Sequence, residues 1–150
     1  MLDTFRPLLE AAAGLDLTQP EVARAELARR LDPEGQAAER VNAGLLALLE
    51  EGRIAERGEP PVRWGRVCKA TADTLEQSID VVVMSGPGPR HTHPEGEVNW
   101  CVPLEGEPAF ERCRRGWVVM PPGSAHVPAV EGGRMLIVYL LPGGKIEFQR

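Results

Sequence analysis

His91-Thr92-His93-Pro94-Glu95-Gly96-Glu97 is the stretch that decides how the rest of this chain of 150 residues is read. The chain has three histidines, and two of them stand here. The third, His126, closes the run Pro121-Pro122-Gly123-Ser124-Ala125-His126. On an extended backbone side chains alternate between faces, so His91, His93 and Glu97 point the same way. Two imidazoles and a carboxylate on one face, with a distant third imidazole, make a first-row metal ligand set. The competing reading is surface histidines beside a turn made by Pro94 and Gly96. All three histidines fall in Gly/Pro-framed stretches of a strand-rich region, and this favours the metal site.

The rest of the chain falls into two kinds of sequence. Residues 1–57 read as helical. Phe5, Leu8, Leu9 and Ala12 recur at helical spacing, and Gly14 closes that segment. Thr18-Gln19-Pro20-Glu21 has the form of a capping box, which predicts a second helix running to about Leu31. Asp32-Pro33-Glu34 reads as a further N-cap, after which Val41, Leu45, Leu48 and Leu49 stripe one face as far as Gly52. From Gly58-Glu59-Pro60-Pro61 onward the period drops towards two, with Gly/Pro turns. Short strands are expected near 62–71, 78–86, 97–104, 108–113, 117–120, 125–130, 134–141 and 145–149. Strands at such spacing predict an antiparallel sandwich or barrel over residues 58–150.

Composition narrows the function. A net charge of −5 argues against nucleic acid or an anionic membrane as partner. Two helices ending at Gly52 could suggest a winged helix-turn-helix, but residues 1–58 hold 11 Asp/Glu against 7 Arg and no Lys. That is a poor surface for phosphate. The longest apolar run, Met135 to Leu141, is too short to span a bilayer, and Asp3 and Arg6 interrupt any secretory signal. Cys68, Cys101 and Cys113 are odd in number and lack C-x-x-C spacing, which suits reduced thiols in a cytoplasm. Arg112, Arg114 and Arg115, beside Glu107 and Glu111, read as a solvated hairpin face.

Gly86, His91-x-His93, Glu97 and Gly106 resemble the first cupin motif, and Gly116 with Pro121-x-Gly123-x-x-His126 resembles the second. The resemblance implies a mainly β fold: a cupin-like double-stranded β-helix barrel preceded by an N-terminal α-helical segment. It also implies that His91, His93, Glu97 and His126 hold one divalent metal ion (Fe, Mn, Zn or Ni), with Glu95 a rival for the carboxylate position. Two longer runs, Arg90 to Trp100 and Gly133 to Glu147, resemble the 4-hydroxylaminobenzoate lyase family of nitroarene catabolism. That resemblance implies conversion of 4-hydroxylaminobenzoate to 3,4-dihydroxybenzoate (protocatechuate) with release of ammonia.

The chemistry asks for an acid or Lewis acid at the N–O bond, and three imidazoles with one carboxylate leave a divalent metal a net positive charge. Glu95 and Glu97 are the candidate catalytic carboxylates, Glu95 as a general acid or base from the rim if it is not a ligand. Asn99 and Cys101 share the face of Glu97 and are placed to line a pocket. A substrate carboxylate wants an Arg: Arg90, Arg66 and Arg134 are candidates, with Arg90 nearest the ligands. Trp64, Trp100, Trp117 and Tyr139 could form an aromatic wall. The expected substrate-binding set is therefore Arg90, Asn99 and Tyr139, the expected partner a small aromatic acid, and the expected assembly a homodimer that covers sheet edges. The alternatives are another metal-dependent cupin enzyme, a dioxygenase or isomerase, and a non-enzymatic small-molecule binder.

Overall fold

A computed structural model of the protein describes residues 1–149; Arg150, the last residue of the expected barrel segment, lies outside the described residues. Three helices come first: α1 (Leu2–Ala12), α2 (Pro20–Arg30) and α3 (Gln36–Glu50). Phe5, Leu8, Leu9 and Ala12 are the buried face of α1, and Val41, Leu45 and Leu48 that of α3, as the spacing predicts. Both expected N-caps differ. Thr18 turns back, giving its backbone N–H and hydroxyl to Asp16 Oδ1 at 2.9 and 2.6 Å, so no capping box forms ahead of α2. Asp32 accepts from the Glu34 N–H in a local turn, and α3 starts later, from Gly35. In both places the short side chain satisfies a nearer backbone group.

Nine strands follow: β1 (Arg57–Glu59), β2 (Val62–Cys68), β3 (Gln77–Met84), β4 (His91–His93), β5 (Glu97–Phe110), β6 (Gly116–Met120), β7 (Ser124–His126), β8 (Val130–Pro142) and β9 (Glu147–Phe148). They pair antiparallel in a six-stranded sheet, β1-β2-β3-β8-β5-β6, and a three-stranded sheet, β7-β4-β9. The strands expected at 97–104 and 108–113 are one strand. β5 runs through Gly106, and its register against β8 shifts twice, between Pro103 and Glu105 and between Gly106 and Ala109. Bulges let a strand bend without ending, so Gly and Pro there mark curvature and not a turn.

The large sheet has two different faces. Along β8, Leu136, Val138 and Leu140 point outward into the core that the helices share, while Met135, Ile137 and Tyr139 point inward. Along β5, Val98, Trp100 and Val102 join the outer core, and Glu97, Asn99 and Cys101 are left for the interior. This is strict period-two alternation. Directional bonds fix the helices on the outer face: Trp100 Nε1 donates to Asn42 Oδ1, Trp117 Nε1 to the Leu31 carbonyl, and Gln77 Nε2 to the Leu9 carbonyl, all at 2.8–3.1 Å. Trp100 and Trp117 therefore serve packing on the outer face and form no aromatic wall on the inner one. No helix among the described residues is long and apolar enough to cross a membrane.

Candidate metal centre

The strand alternation that singles out His91, His93 and Glu97 does not run unbroken through them. β4 ends at His93, Gly96 takes φ +88° and closes a turn onto the His93 carbonyl, and β5 begins at Glu97 in the other sheet. Glu97 thus reaches the two histidines from the facing sheet. A Cβ at position 96 would also sit 2.9 Å from Leu17 and 3.0 Å from the Met120 carbonyl, so a side chain has no room there. His126 arrives on β7, directly across from His91 in the β4–β7 register.

Four side chains from two sheets meet at one point. Glu97 Oε1 lies 3.4 Å from His91 Nε2 and 3.3 Å from His93 Nε2, and Oε2 lies 3.8 Å from His126 Nε2. His91 and His126 bring their Nε2 atoms within 3.1 Å of each other. All four donor atoms fall within 4.8 Å of one another.

The partners of the other ring nitrogens say which tautomer each ring holds. His91 Nδ1 faces the Pro89 carbonyl at 3.2 Å, which can only accept. His126 Nδ1 faces Glu111 Oε1 at 2.9 Å, a carboxylate that also accepts. His93 Nδ1 faces Ser124 Oγ at 3.0 Å, and that hydroxyl already donates to the Pro121 carbonyl at 2.6 Å, so it accepts from His93. Each Nδ1 therefore carries a proton, and each ring turns Nε2 to the centre, with a lone pair there unless a second proton is added.

Burial lowers the His126 pKa by more than Glu111 raises it, which keeps that ring neutral at neutral pH. Burial opposes ionisation of Glu97, but hydrogen bonds and charge from His91 and His93, which act only when their Nε2 atoms carry protons, more than offset this and lower its carboxyl to about 2. Three lone pairs and a carboxylate with no donor among them require balancing positive charge, from ring protons or from a cation.

Orphaned atoms make the same point. His93 Nε2 and both Glu97 oxygens are buried without a hydrogen-bond partner. Metal bonds of ~2.1 Å place neighbouring ligand atoms about 3.0–3.4 Å apart, close to the separations seen. The residues fit a first-row divalent ion.

Beside the centre lies a cavity of about 710 Å³. Val62, Trp64, Val82, Met84, Pro128 and Phe148 give it apolar walls, and His91 and Tyr139 open onto it. Trp64 and Phe148 are exposed and His91 and Tyr139 buried, so the cavity leads from the surface down to His91. Burial raises the Tyr139 phenol well above its usual range, which keeps it protonated. Asn99, two residues beyond Glu97 on the same face, is fully buried, and neither its Nδ2 nor its Oδ1 has a partner.

The remaining expected residues lie elsewhere. Glu95 stands exposed on the surface, 3.5 Å from Lys145 Nζ, so it is neither beside the histidines nor placed for acid–base work. Arg90 is exposed and donates to Gln149 Oε1, and Arg134 pairs with Glu105 on the far hairpin; neither lines the cavity.

One residue of the site was missed. Glu111 belongs to the hairpin read as a solvated face, yet it holds His126. It gets there through a tight turn in which Phe110 and Cys113 exchange both backbone bonds, with Glu111 at φ +48° and Arg112 at φ +65°. Left-handed backbone at two residues that are not glycine is costly, and nothing in Glu-Arg signals it.

With the site in place, comparison with known proteins becomes specific. The model of the family described as PnbB: 4-hydroxylaminobenzoate lyase matches residues 11–148, nearly the whole chain. The chain belongs to this family. A family member from Pseudomonas putida, named 4-hydroxylaminobenzoate lyase, is 28% identical over 136 residues, which cover 77% of this chain and 76% of that one. A protein of the same name from Nocardioides sp. (strain LMS-CY) is 37% identical over 97 residues, 59% of this chain and 57% of that one. Among solved structures, an RmlC-like cupin from Ralstonia eutropha JMP134 aligns with a TM-score of 0.45 at 15% identity, covering 61% of this chain and 62% of that one. An oxalate oxidase in complex with glycolate aligns with a TM-score of 0.42 at 19% identity, covering 61% and 57%. The described residues have the mainly β, antiparallel fold with an N-terminal helical segment that the two motifs predict.

Proposed function

We propose that the protein is a metal-dependent lyase that converts 4-hydroxylaminobenzoate and one water to 3,4-dihydroxybenzoate and ammonia. The observation that carries this reading is the convergence of His91, His93, Glu97 and His126, with unpartnered buried atoms, beside an apolar cavity in a chain of this family. A divalent cation held by these four side chains would supply a Lewis acid for the hydroxylamine oxygen and would lower the pKa of water nearby.

The protein's own groups account for the rest. The apolar walls take the benzene ring and keep bulk water from the reactive carbon beside the nitrogen. The Tyr139 phenol, protonated and opening onto the cavity, can donate to the departing oxygen. The unpartnered Asn99 amide offers two N–H donors and a carbonyl acceptor on the face of Glu97, suited to the substrate N–H and oxygen. Glu97, already a buried anion, balances the cation's charge. A homodimer and a cytoplasmic setting belong to the same proposal: Trp64 and Phe148 are exposed at the cavity mouth, and all three cysteines are free.

The test is to incubate purified protein with 4-hydroxylaminobenzoate, follow ammonia and 3,4-dihydroxybenzoate, and measure metal in the same sample. We expect both products in equal amounts, lost in His91→Ala and His126→Ala together with the metal. Bound metal without ammonia would sink the lyase reading, and turnover that survives both substitutions would show that the site is elsewhere.

A further inference from the structure

The cavity has one cationic side chain among the described residues that line it, and it is Arg66. Arg66 stands on β2 directly across from Asp80 on β3, and the same cross-strand row continues through Tyr139 on β8 to Asn99 on β5. Residues in register across an antiparallel sheet share a face, so this row crosses the inner surface of the large sheet. Its Asn99 end lies two residues from Glu97, and its Arg66 end is three strands away. Strand spacing makes that about 14 Å across the sheet, with side chains filling part of the span.

Asp80 engages one edge of the guanidinium: Nε donates to Oδ1 at 2.9 Å and Nη2 to Oδ2 at 3.1 Å. The other edge, formed by Nη1 and the second Nη2 hydrogen, makes no hydrogen bond among the described residues. A guanidinium has five N–H donors and can bind one carboxylate on each of two edges. Asp80 fixes its orientation and also lines the cavity, while the second guanidinium edge keeps its donors unpartnered. Arg57 approaches the same rim, but its guanidinium lies over the Trp64 ring, 5.4 Å from the centroid, and it does not line the cavity.

We infer that Arg66 receives the carboxylate of an aromatic acid whose reacting group lies at the opposite end of the ring, and that Asp80 is its positioning residue. The inference rests on the lyase reading for the identity of the reacting group, but the acid-binding role stands on the cavity alone. A para-disposed substrate matches a row that ends near Glu97 on one side and in a cation on the other. Acids are thereby favoured over neutral analogues, because only an anion completes the open edge.

Two measurements test this separately from the lyase reading. The first compares KM and kcat for 4-hydroxylaminobenzoate and for its neutral amide in wild type, Arg66→Gln and Arg66→Lys. A lost charge-assisted pair should raise KM for the acid roughly 10- to 100-fold in Arg66→Gln. The preference for acid over amide, read as the ratio of their KM values, should fall by a similar factor, and Arg66→Lys should recover part of the loss. An unchanged melting temperature and metal content show that the variant is folded. An equal rise for both substrates, or none for the acid, would overturn the role.

The second measurement is calorimetric binding of 3,4-dihydroxybenzoate against 3,4-dihydroxybenzamide. Wild type should prefer the acid and Arg66→Gln should not, whether or not 4-hydroxylaminobenzoate is turned over. If wild type shows this preference without turnover, the lyase reading fails and the Arg66 assignment holds. If wild type binds the two equally, the assignment fails.

Discussion

The two faces of the six-stranded sheet are made by the same strands, one residue out of step, and they are finished in opposite ways. On the outer face every group that needs a partner has one: Trp100 with Asn42, Trp117 with the Leu31 carbonyl, and Gln77 with the Leu9 carbonyl. On the inner face Glu97 and Asn99 leave buried polar atoms without partners, and His93 does so opposite them on the three-stranded sheet. Buried polar groups are almost always satisfied, and each one left over costs about 1–3 kcal/mol. Stability is therefore concentrated outside, where the helices pack, and the inner face carries an unmet demand that a metal and a substrate can fill.

The sharpest way to break that comparison is to alter one residue on each face of β5. Glu97→Gln should abolish metal retention and lower kcat/KM by roughly 10³-fold, the scale of several kcal/mol of Lewis-acid stabilisation. Without metal it should melt no lower than metal-free wild type, because a buried charge has been removed. Trp100→Ala should do the reverse. It should cost about 3–5 kcal/mol in denaturant unfolding, as a fully buried aromatic does, while the folded fraction keeps its metal and its kcat. Thermal melts with and without chelator, set beside elemental analysis, read both. A metal-free Glu97→Gln protein that melts well below metal-free wild type would show that the inner face is also a stabilising core.

Glu111 offers an intermediate effect. Its carboxylate orients His126 from a turn held in left-handed backbone. Partners of this kind affect metal affinity by about 10- to 100-fold. Glu111→Gln should weaken metal binding on that scale and leave the metal-free melting temperature in place. Glu111→Gly should weaken it as much and yet stabilise the metal-free protein by about 1 kcal/mol, since glycine adopts this backbone freely. Titration of metal-free protein with Zn²⁺ or Mn²⁺ measures the first, and denaturant unfolding the second. Equal metal affinity in all three proteins would leave Glu111 with no role at the site.

How much of this was legible in the chain follows from what periodicity can carry. The helical segment, the antiparallel barrel and the set His91, His93, Glu97 and His126 are readable because alternation and Gly/Pro framing act on local backbone. Even so, Glu97 meets the histidines from the opposite sheet, across a turn that the alternation argument ignores. What was not readable depends on chain reversal over longer range. Glu111 reaches His126 through a turn whose residues give no sign of it, and Arg66 enters the cavity by register across three strands. Proximity in sequence favoured Arg90 over Arg66, yet Arg90 ends on the surface beside Gln149.

The smallest expected effect is at Glu95, and it tests the geometry most directly. Glu95 and Glu97 are two residues apart and chemically the same, and by sequence they competed for one role. The turn at Gly96 separates them: Glu97 is fully buried among the histidines, and Glu95 is half-exposed beside Lys145. A solvated ion pair of that kind contributes no more than about 1 kcal/mol and often nothing. Glu95→Gln should therefore change kcat/KM by less than about twofold and stability by less than about 0.5 kcal/mol, with full metal content. A tenfold loss of kcat in Glu95→Gln, with metal still bound, would mean that the turn moves in the working enzyme and carries Glu95 to the cavity. In that case the contrast between these neighbouring carboxylates describes only the resting protein.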